Sequence, residues 1–377
     1  MIQASWTLAA ILAGLTAAVG ITPAHAELGG PGQVTAPAVD QAIAPYISHN
    51  GLSGRLSIAG SDTMSPLVSK LAAQFRSLHP NVQIAVEAVG SNTAIREFQL
   101  GLSYQRRGDK VRGKGTEGAN RVELLASSRE LTEEELQGFE SNHGYRPTGL
   151  PIALDAIALY VHKDNPIREL TLTQLEGIFG KERTRGGAPI TEWGEIGVEG
   201  SLAKQPIVRY GRDRRSGTRA FFQHVALRDR EFRDEVVEQP GSASEIIAIA
   251  QDLSGIGYAG VGFQISSVRM VPIARSAGEP GQLPDREQVL SGAYPLGRPL
   301  WLYVKMNPKS PLDPLVKDFL LFINSRQGQE TVARANFYPL SGQQVSTSLR
   351  ALGLKQSPVV ETTESSEEDR LAATQRR

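Results

Sequence analysis

Three stretches of the chain repeat one pattern, in which a short apolar segment leads through a polar turn into a helix. The turns are GSDTM at residues 60–64, GSNT at 90–93 and RDRRSGT at 212–218. Apolar residues recur at every fourth position after the first turn and alternate with polar residues before the second, which indicates a helix and a strand. Strands that alternate with helices in this way predict open α/β sheets.

The three turns together offer the groups that bind an oxyanion. A helix start carries about half a positive charge and up to four free N–H donors. The guanidinium of Arg212 adds a planar fork that suits a tetrahedral anion. Ser216-Gly217-Thr218 is by itself also an ordinary helix N-cap, so this turn alone leaves a simple loop as the alternative. The agreement of three turns favours an anion site.

Composition and the N-terminal segment predict an exported protein. Forty basic residues balance 40 acidic ones, so no overall field favours nucleic acid or an anionic membrane. Residues 1–26 are typical of a signal peptide cleaved before Glu27, although no Lys or Arg precedes the apolar run and an uncleaved anchor is the alternative. The absence of cysteine excludes disulfides and a lipid-modified N-terminal Cys. We therefore expect a protein that diffuses in the periplasm.

No pattern in the sequence indicates a metal site, a cofactor or a catalytic centre. The six histidines lack the paired helical spacing of a metal-binding motif. A phosphatase that used the same anion site would need an activated nucleophile, and His224 is the histidine nearest to Ser216 in the sequence. Sequence distance does not exclude a spatial partner, so an enzyme stays an alternative, as does a sensor or adhesion scaffold.

The composition also predicts the domain organisation. We expect a signal peptide at 1–26, a linker at 27–54, a first lobe formed by 55–150 plus 303–345, a second lobe at 151–302 and a disordered tail at 346–377. The Gly-rich basic segment 104–120 is either a solvated loop or a docking patch for a membrane partner or polyanion. The apolar runs at 151–162 and 298–305 are candidates for strands that cross between the lobes.

The residues in this order resemble a known family. The segments PIALDAIALYVHKDNP, IVRYGRDRRSGTRAFF, GIGYAGVGF and YPLGRPLWLYVK look like the PstS-type periplasmic phosphate-binding proteins of ABC importers, over about residues 56–340. The resemblance implies a type II periplasmic-binding-protein fold, with two α/β lobes joined by two crossing strands and a ligand cleft between them. It also implies a monomeric, non-enzymatic protein that captures inorganic phosphate and delivers it to an ABC permease and ATPase complex.

The resemblance implies a set of ligand contacts. These are the Thr63 hydroxyl, the Met64 backbone N–H, Ser91, Ser128, Arg129, Arg212 as the bidentate arginine, and Ser216, Gly217 and Thr218 at a helix start. Asp62 departs from the small or hydroxyl residue common at its position. Because it would repel a dianion, we expect it to point away.

The segment SSREL at 127–131 departs most from the family pattern. In one branch of the family the position of Arg129 holds an aspartate that accepts the proton of hydrogen phosphate and so rejects sulfate. Asp155 and Asp213 are the carboxylates that we expect could replace it. The resemblance therefore implies phosphate less firmly than an oxyanion, and sulfate and molybdate stay alternatives.

Overall fold

The computed structural model describes residues 39–49, 51–101, 106–107, 110–111 and 122–354. The predicted signal peptide lies outside these residues, as do most of the basic segment 104–120 and the last 23 residues of the chain. Within the described part, no helix has the length and apolar character needed to cross a membrane.

Strands and helices alternate along the described chain, as the sequence predicts. The strands are β1 (Gly54–Gly60), β2 (Val82–Ala88), β3 (Arg106–Arg107), β4 (Lys110–Val111), β5 (Leu124–Ser127), β6 (Thr148–His162), β7 (Leu170–Thr171), β8 (Val208–Arg212), β9 (Val237–Gln239), β10 (Gly255–Gly260), β11 (Val268–Val271), β12 (Ile273–Ala274) and β13 (Gly297–Val304). The helices are α1 (Ser65–Leu78), α2 (Ser91–Leu100), α3 (Glu133–His143), α4 (Leu172–Phe179), α5 (Gly217–Leu227), α6 (Ser242–Ala250), α7 (Arg286–Leu290), α8 (Pro314–Ile323), α9 (Arg326–Arg334) and α10 (Gly342–Ala351).

Strand β6 joins the two halves of a nine-stranded sheet. The sheet order is β2-β1-β5-β13-β6-β10-β8-β9, with β11 also paired to β6. The first part of β6 pairs with β13, and its second part pairs with β10 and β11, all in antiparallel register. The strands on either side of this centre pair in parallel. On one side β1 pairs with β2 and β5, and on the other side β8 pairs with β9 and β10. The long apolar runs at 151–162 and 298–305 therefore form the middle of the sheet.

The hydrophobic core is divided between the two halves. In the first half, Leu67, Leu71 and Phe75 of α1 are fully buried with β1, β13 and α8. The four-residue spacing that predicts this helix therefore also predicts its buried face. In the second half, Phe222 of α5 stacks on Tyr258 of β10, with ring centroids 4.1 Å apart. The described chain thus has two lobes, each with its own core, and the lobe boundaries given above stay a prediction.

Two margins differ from the sequence-based expectation. The second part of the predicted linker is packed, because Ile43 is fully buried and Tyr46 lies against the rings of Phe75 and Phe322. The predicted tail begins too early, since α10 continues to Ala351. The apolar positions 345 and 349 of α10 pack into the core of the second half of the sheet. Residues 355–377 lie outside the described residues.

Candidate anion-binding site

The predicted turns lie at the carboxyl ends of parallel strands and converge at the junction of the two lobes. The turn after β1 carries Thr63, and the end of β5 leads into Ser128. Helix α2 begins at Ser91 after β2, and α5 begins at Gly217 after β8. Ligands of open α/β sheets bind in the crevice at this edge. The topology therefore places the predicted residues where a ligand site is expected.

Hydroxyl groups from both lobes meet in the buried centre of this junction. Thr63 Oγ1 lies 2.8 Å from Thr218 Oγ1 and 3.4 Å from Ser242 Oγ. Ser91 Oγ lies 3.2 Å from Ser128 Oγ and also accepts a 3.2 Å hydrogen bond from the Ser128 N–H. All five residues are at most 1% exposed. We call these five residues, together with Arg212, the anion cluster.

Gly217 lets the two lobes approach each other at the anion cluster. A Cβ atom at this position would lie 2.5 Å from Ser91 Oγ and 2.7 Å from Ser128 Oγ, closer than real Cβ contacts allow. Only glycine therefore brings the start of α5 against these hydroxyls. Glycine is required at position 217 because a side chain would not fit there, and not because of an unusual backbone conformation.

Arg212 supplies the positive charge of the anion cluster. It is 1% exposed and ends β8. Its Nη1 donates to Ser242 Oγ at 2.6 Å, and its Nη2 donates to the Pro240 carbonyl at 3.2 Å. The buried Nε has no hydrogen-bond partner among the described residues. A buried guanidinium with an unused donor, bonded to a hydroxyl of the cluster, can take an anion as an additional partner.

Asp62 points into the site, and the expectation that it points away is wrong. Its Oδ2 lies 3.3 Å from Arg212 Nη2 and accepts a 2.9 Å hydrogen bond from the Ser242 N–H. The carboxylate is attracted to a guanidinium and to the N-terminus of α6, which together outweigh the repulsion considered from the sequence alone. Among the described residues, Asp62 is the carboxylate that forms an ion pair with Arg212.

Arg129 lies outside the anion cluster, so its prediction as a ligand needs correction. Its Nη1 and Nη2 form a bidentate pair with Glu135 at 2.8 and 2.7 Å. Its Nε and Nη2 donate to Asn92 Oδ1, and its Nη1 also donates to the Glu130 carbonyl. Although burial would raise the pKa of Glu135, the bonds from Arg129 hold that pKa below its usual value. All five N–H groups of Arg129 are thus engaged by protein.

Asp155 and Asp213, the carboxylates that the sequence suggests as acceptors of a ligand proton, are both bound to arginines. Asp155 Oδ2 accepts from Nε and Nη2 of Arg298 at 3.0 and 2.8 Å, with both side chains fully buried. Asp213 pairs with the exposed side chain of Arg215 at 2.5 Å. A role of either carboxylate in accepting a ligand proton stays a prediction.

Met64 and Ser216 have local roles in the structure. The Met64 N–H donates to the Ser61 carbonyl at 3.2 Å. Ser216 Oγ accepts the N–H of Arg219 at 3.2 Å and so caps α5. The N-cap alternative is correct for Ser216, and a ligand contact by either residue stays a prediction.

Two site residues were missed by the sequence reasoning. Ser242 starts α6 directly after β9 and Pro240-Gly241, which is a fourth example of the strand, turn and helix pattern. Arg298 is a single charged residue in an apolar strand, and its Nη2 donates to Thr218 Oγ1 at 3.0 Å. The first could have been found by extending the pattern search. The second depends on pairing between distant strands, which the sequence does not display.

A separate cavity of about 540 Å³ opens beside the anion cluster. It is lined by residues of α5 and of the segment that follows it, together with Asn92 of α2. Its lining includes Arg214 and Arg219 but none of the buried hydroxyls. We place the candidate site at the hydroxyls because they are buried and come from both lobes, next to the start of α5 at Gly217. Within the described residues, no group of three or more His, Asp or Glu side chains is arranged to hold a metal ion.

Comparisons with known proteins show the family of this chain. A model of the PBP superfamily domain matches residues 33–327. The phosphate-binding protein PstS of Pseudomonas aeruginosa PAO1 is 39% identical over 318 residues, which is 84% of this chain and 93% of that protein. The phosphate-binding protein PstS of Bacillus subtilis is 25% identical over 287 residues, which is 76% of this chain and 80% of that protein. These relatives are substrate-binding proteins.

Solved structures share the fold. A Clostridium perfringens structure, described as a phosphate ABC transporter substrate-binding protein with bound phosphate, has a TM-score of 0.60 and 28% identity and covers 76% of this chain and 100% of that chain. An ABC-type phosphate transport receptor from Vibrio cholerae has a TM-score of 0.56 and 22% identity, with coverage of 76% and 100%. The two-lobed α/β fold predicted from the sequence is thereby confirmed.

Proposed function

We propose that this chain, which belongs to the PstS-type phosphate-binding family of the PBP superfamily, captures inorganic phosphate outside the cytoplasm. In this proposal it passes the anion to an ABC import permease, acts as a monomer, and is exported by its N-terminal segment. The observation that carries the proposal is the anion cluster, in which buried hydroxyls of both lobes meet and one of them, on Ser242, bonds to the buried Arg212. The relatives are phosphate-binding proteins by name, which supports the same ligand here.

The proposed ligand contacts are those of the anion cluster. Arg212 neutralises one charge of the anion, while Thr63, Ser91, Ser128 and Thr218 donate hydroxyl hydrogens. These hydroxyls now bond to one another, and a hydroxyl can rotate to a new acceptor at little cost. Backbone N–H groups at the start of α5, at Gly217 and Thr218, add donors together with the helix dipole.

The energetics are sufficient for tight binding. Each charge-assisted hydrogen bond contributes roughly 1.5–3 kcal/mol, while micromolar affinity needs only about 8 kcal/mol. Four hydroxyls, two backbone N–H groups and one guanidinium exceed this before the costs of closure and of desolvating the anion are subtracted. A single lost hydroxyl is therefore tolerable, whereas loss of the buried charge is not.

Asp62 provides a physical basis for choosing phosphate. Its carboxylate lies beside Arg212, so a ligand on that guanidinium also meets a fixed negative charge. A protonated phosphate oxygen can donate to this carboxylate. Sulfate has no such proton at neutral pH and would meet repulsion instead, which is how binding sites reject a competitor. In this proposal Asp62 takes the role that we had considered for Asp155 or Asp213.

The contacts support binding rather than hydrolysis. A serine or threonine nucleophile needs an adjacent general base, and the recorded side-chain partners of the cluster hydroxyls are hydroxyls and arginines. His224 bonds to Asp229 on an exposed surface instead of approaching Ser216. A phosphatase is therefore the weaker proposal.

Calorimetry on ligand-stripped protein tests the proposed function. Phosphate, arsenate, sulfate and molybdate are titrated separately at neutral pH, and small-angle scattering follows lobe closure in parallel. We expect micromolar or tighter binding of phosphate and arsenate, no saturable binding of sulfate, and a smaller radius of gyration with phosphate. Equal affinity for sulfate would contradict the role of Asp62. The absence of phosphate binding would contradict the function itself.

A further inference from the structure

Helix α6 presents two side chains to Arg212. Ser242 is its first residue and Glu245 follows three positions later, so both lie on one face of the helix. Ser242 Oγ accepts from Arg212 Nη1, and Glu245 interacts electrostatically with the same guanidinium. Both α6 side chains are 0% exposed. Glu245 is thus a fully buried acid behind the cation of the anion cluster, with no role in the ligand contacts proposed above.

The environment of Glu245 fixes one carboxyl oxygen and leaves the other without a partner. Oε1 accepts the Tyr258 N–H at 2.8 Å. A Cβ on Gly257 would lie 2.8 Å from the same oxygen, so glycine leaves room for the carboxyl. Among the described residues, the buried atoms without a hydrogen-bond partner include both Glu245 Oε2 and Arg212 Nε. Glu245 and Arg212 therefore interact electrostatically, and each keeps one buried polar atom without a hydrogen-bond partner.

We propose that Glu245 is a positioning residue of the anion site that competes with the bound anion for the positive charge of Arg212. When Glu245 is neutral, the guanidinium attracts the anion fully. When Glu245 is ionised, it offsets part of that charge and weakens the attraction. Opposite charges shielded from water interact strongly, and one guanidinium cannot neutralise both a buried carboxylate and a dianion. Ionisation of Glu245 and binding of the anion therefore oppose each other. The inference rests on the proposed function, because it takes the ligand to be phosphate.

The groups that face Glu245 allow its protonation to be followed. They are Arg212 on β8, Tyr258 on β10, Tyr160 on β6 and, through Ser242, Asp62 in the turn after β1. Burial raises the pKa of Glu245 to about 8, against the lowering effect of Arg212. Burial also raises the pKa values of Tyr160 and Tyr258 far above their usual range. Above about pH 8 the ionised Glu245 must take up a proton when phosphate binds.

Calorimetry above the second ionisation of inorganic phosphate isolates this effect. Phosphate binding is measured at several pH values with the wild type, with Glu245→Gln as a mimic of the protonated acid, and with Glu176→Gln as a control. Glu176 is equally buried but bonds to Thr184 and the Arg185 N–H, away from the anion cluster. The titrations are repeated in buffers of different ionisation enthalpy. The dependence of the binding enthalpy on the buffer gives the number of protons that the protein takes up per phosphate bound.

We expect the phosphate affinity to fall with rising pH in the wild type and in Glu176→Gln, but not in Glu245→Gln. The wild type and Glu176→Gln should lose up to about tenfold in phosphate affinity per pH unit above the transition, with uptake approaching one proton per phosphate. Glu245→Gln should bind as the wild type does at neutral pH and keep that affinity at alkaline pH. Parallel profiles for the wild type and Glu245→Gln would overturn the proposal.

A measurement without phosphate separates this inference from the proposed function. A protonated carboxyl has an infrared C=O band. The band that the wild type shows and Glu245→Gln lacks belongs to Glu245, and its intensity against pH gives the titration of this residue. Arg212→Gln removes the cation that lowers this titration, so the midpoint should move to higher pH. An unchanged midpoint would refute the coupling whatever the protein binds. If no variant binds phosphate but the midpoint moves, the proposed function fails and the coupling stands.

Discussion

Arg212 and Arg129 both stand at the carboxyl end of a strand, but their surroundings differ. Arg212 bonds to Ser242, pairs with Asp62 and keeps one buried N–H unused. Arg129 has its five N–H groups taken by Asn92, Glu130 and Glu135. The position of an arginine at a strand end therefore does not make it a ligand. An arginine is available to a ligand only where neighbouring carboxylates and carbonyls leave some of its N–H donors unused.

The carboxylate that engages Arg129 is held there by a helix start. Thr132 caps α3 in a capping box, in which Glu135 accepts the Thr132 N–H. The same carboxylate binds Arg129. Arg129 in turn holds Asn92, whose N–H and Nδ2 donate across the cleft to the carbonyls of Arg215 and Arg214 at 3.1 and 2.9 Å. Arg129 thus supports the contact between lobes, whereas Arg212 contacts a hydroxyl of the anion cluster and is the proposed ligand contact.

Removing Arg212 should have the largest effect on binding. Arg212→Ala leaves the anion cluster without its cation and Asp62 without its partner, so phosphate affinity should fall at least about a hundredfold, in line with a cost of about 2–5 kcal/mol for truncating a buried charge pair. Calorimetry gives the affinity, and thermal unfolding confirms that the variant is folded. A folded variant with near-native affinity would move the site away from this turn.

Asp62→Asn should change ligand choice more than affinity. The amide can still accept the Ser242 N–H, but it no longer repels a fully ionised anion. The ratio of phosphate to sulfate affinity should fall at least about tenfold, because like charges placed together cost several kcal/mol. Competition titrations with sulfate measure this ratio. An unchanged ratio would mean that another group reads the proton of phosphate.

Local rules predicted more of the fold than of the site. The spacing of apolar residues identified α1, β2 and α2, because local periodicity decides which face of an element is buried. The turn chemistry likewise located the three polar turns, whereas the hydroxyls of Thr63, Ser91 and Thr218 were assigned by the family resemblance. The side-chain partners of Arg129, Asp155 and Asp62 could not be predicted in this way. Asp155 meets Arg298 from a strand 143 positions away, and such pairing depends on tertiary structure alone.

Removing one hydroxyl should have a moderate effect. Ser91→Ala deletes a donor of the anion cluster and leaves Ser128 Oγ without this partner. Because one hydrogen bond to a charged group contributes roughly 1.5–3 kcal/mol, phosphate affinity should fall about tenfold or more. Ser77→Ala is a suitable control, since the Ser77 hydroxyl bonds only locally on the exposed surface of α1. Equal affinities of the two variants would remove Ser91 from the proposed contacts.

Arg129→Gln should have the smallest effect on binding and the clearest effect on stability. The variant loses the bidentate pair with Glu135, whose side chains are 14% and 22% exposed. Breaking charge-assisted bonds at such a partly buried site should lower the free energy of unfolding by about 1–2 kcal/mol. Phosphate affinity should change less than about threefold, because Arg129 acts on the site only through Asn92. Urea unfolding and calorimetry measure the two quantities on the same preparation. A large loss of affinity with unchanged stability would place Arg129 beside Arg212 as a ligand and remove the contrast between the two arginines.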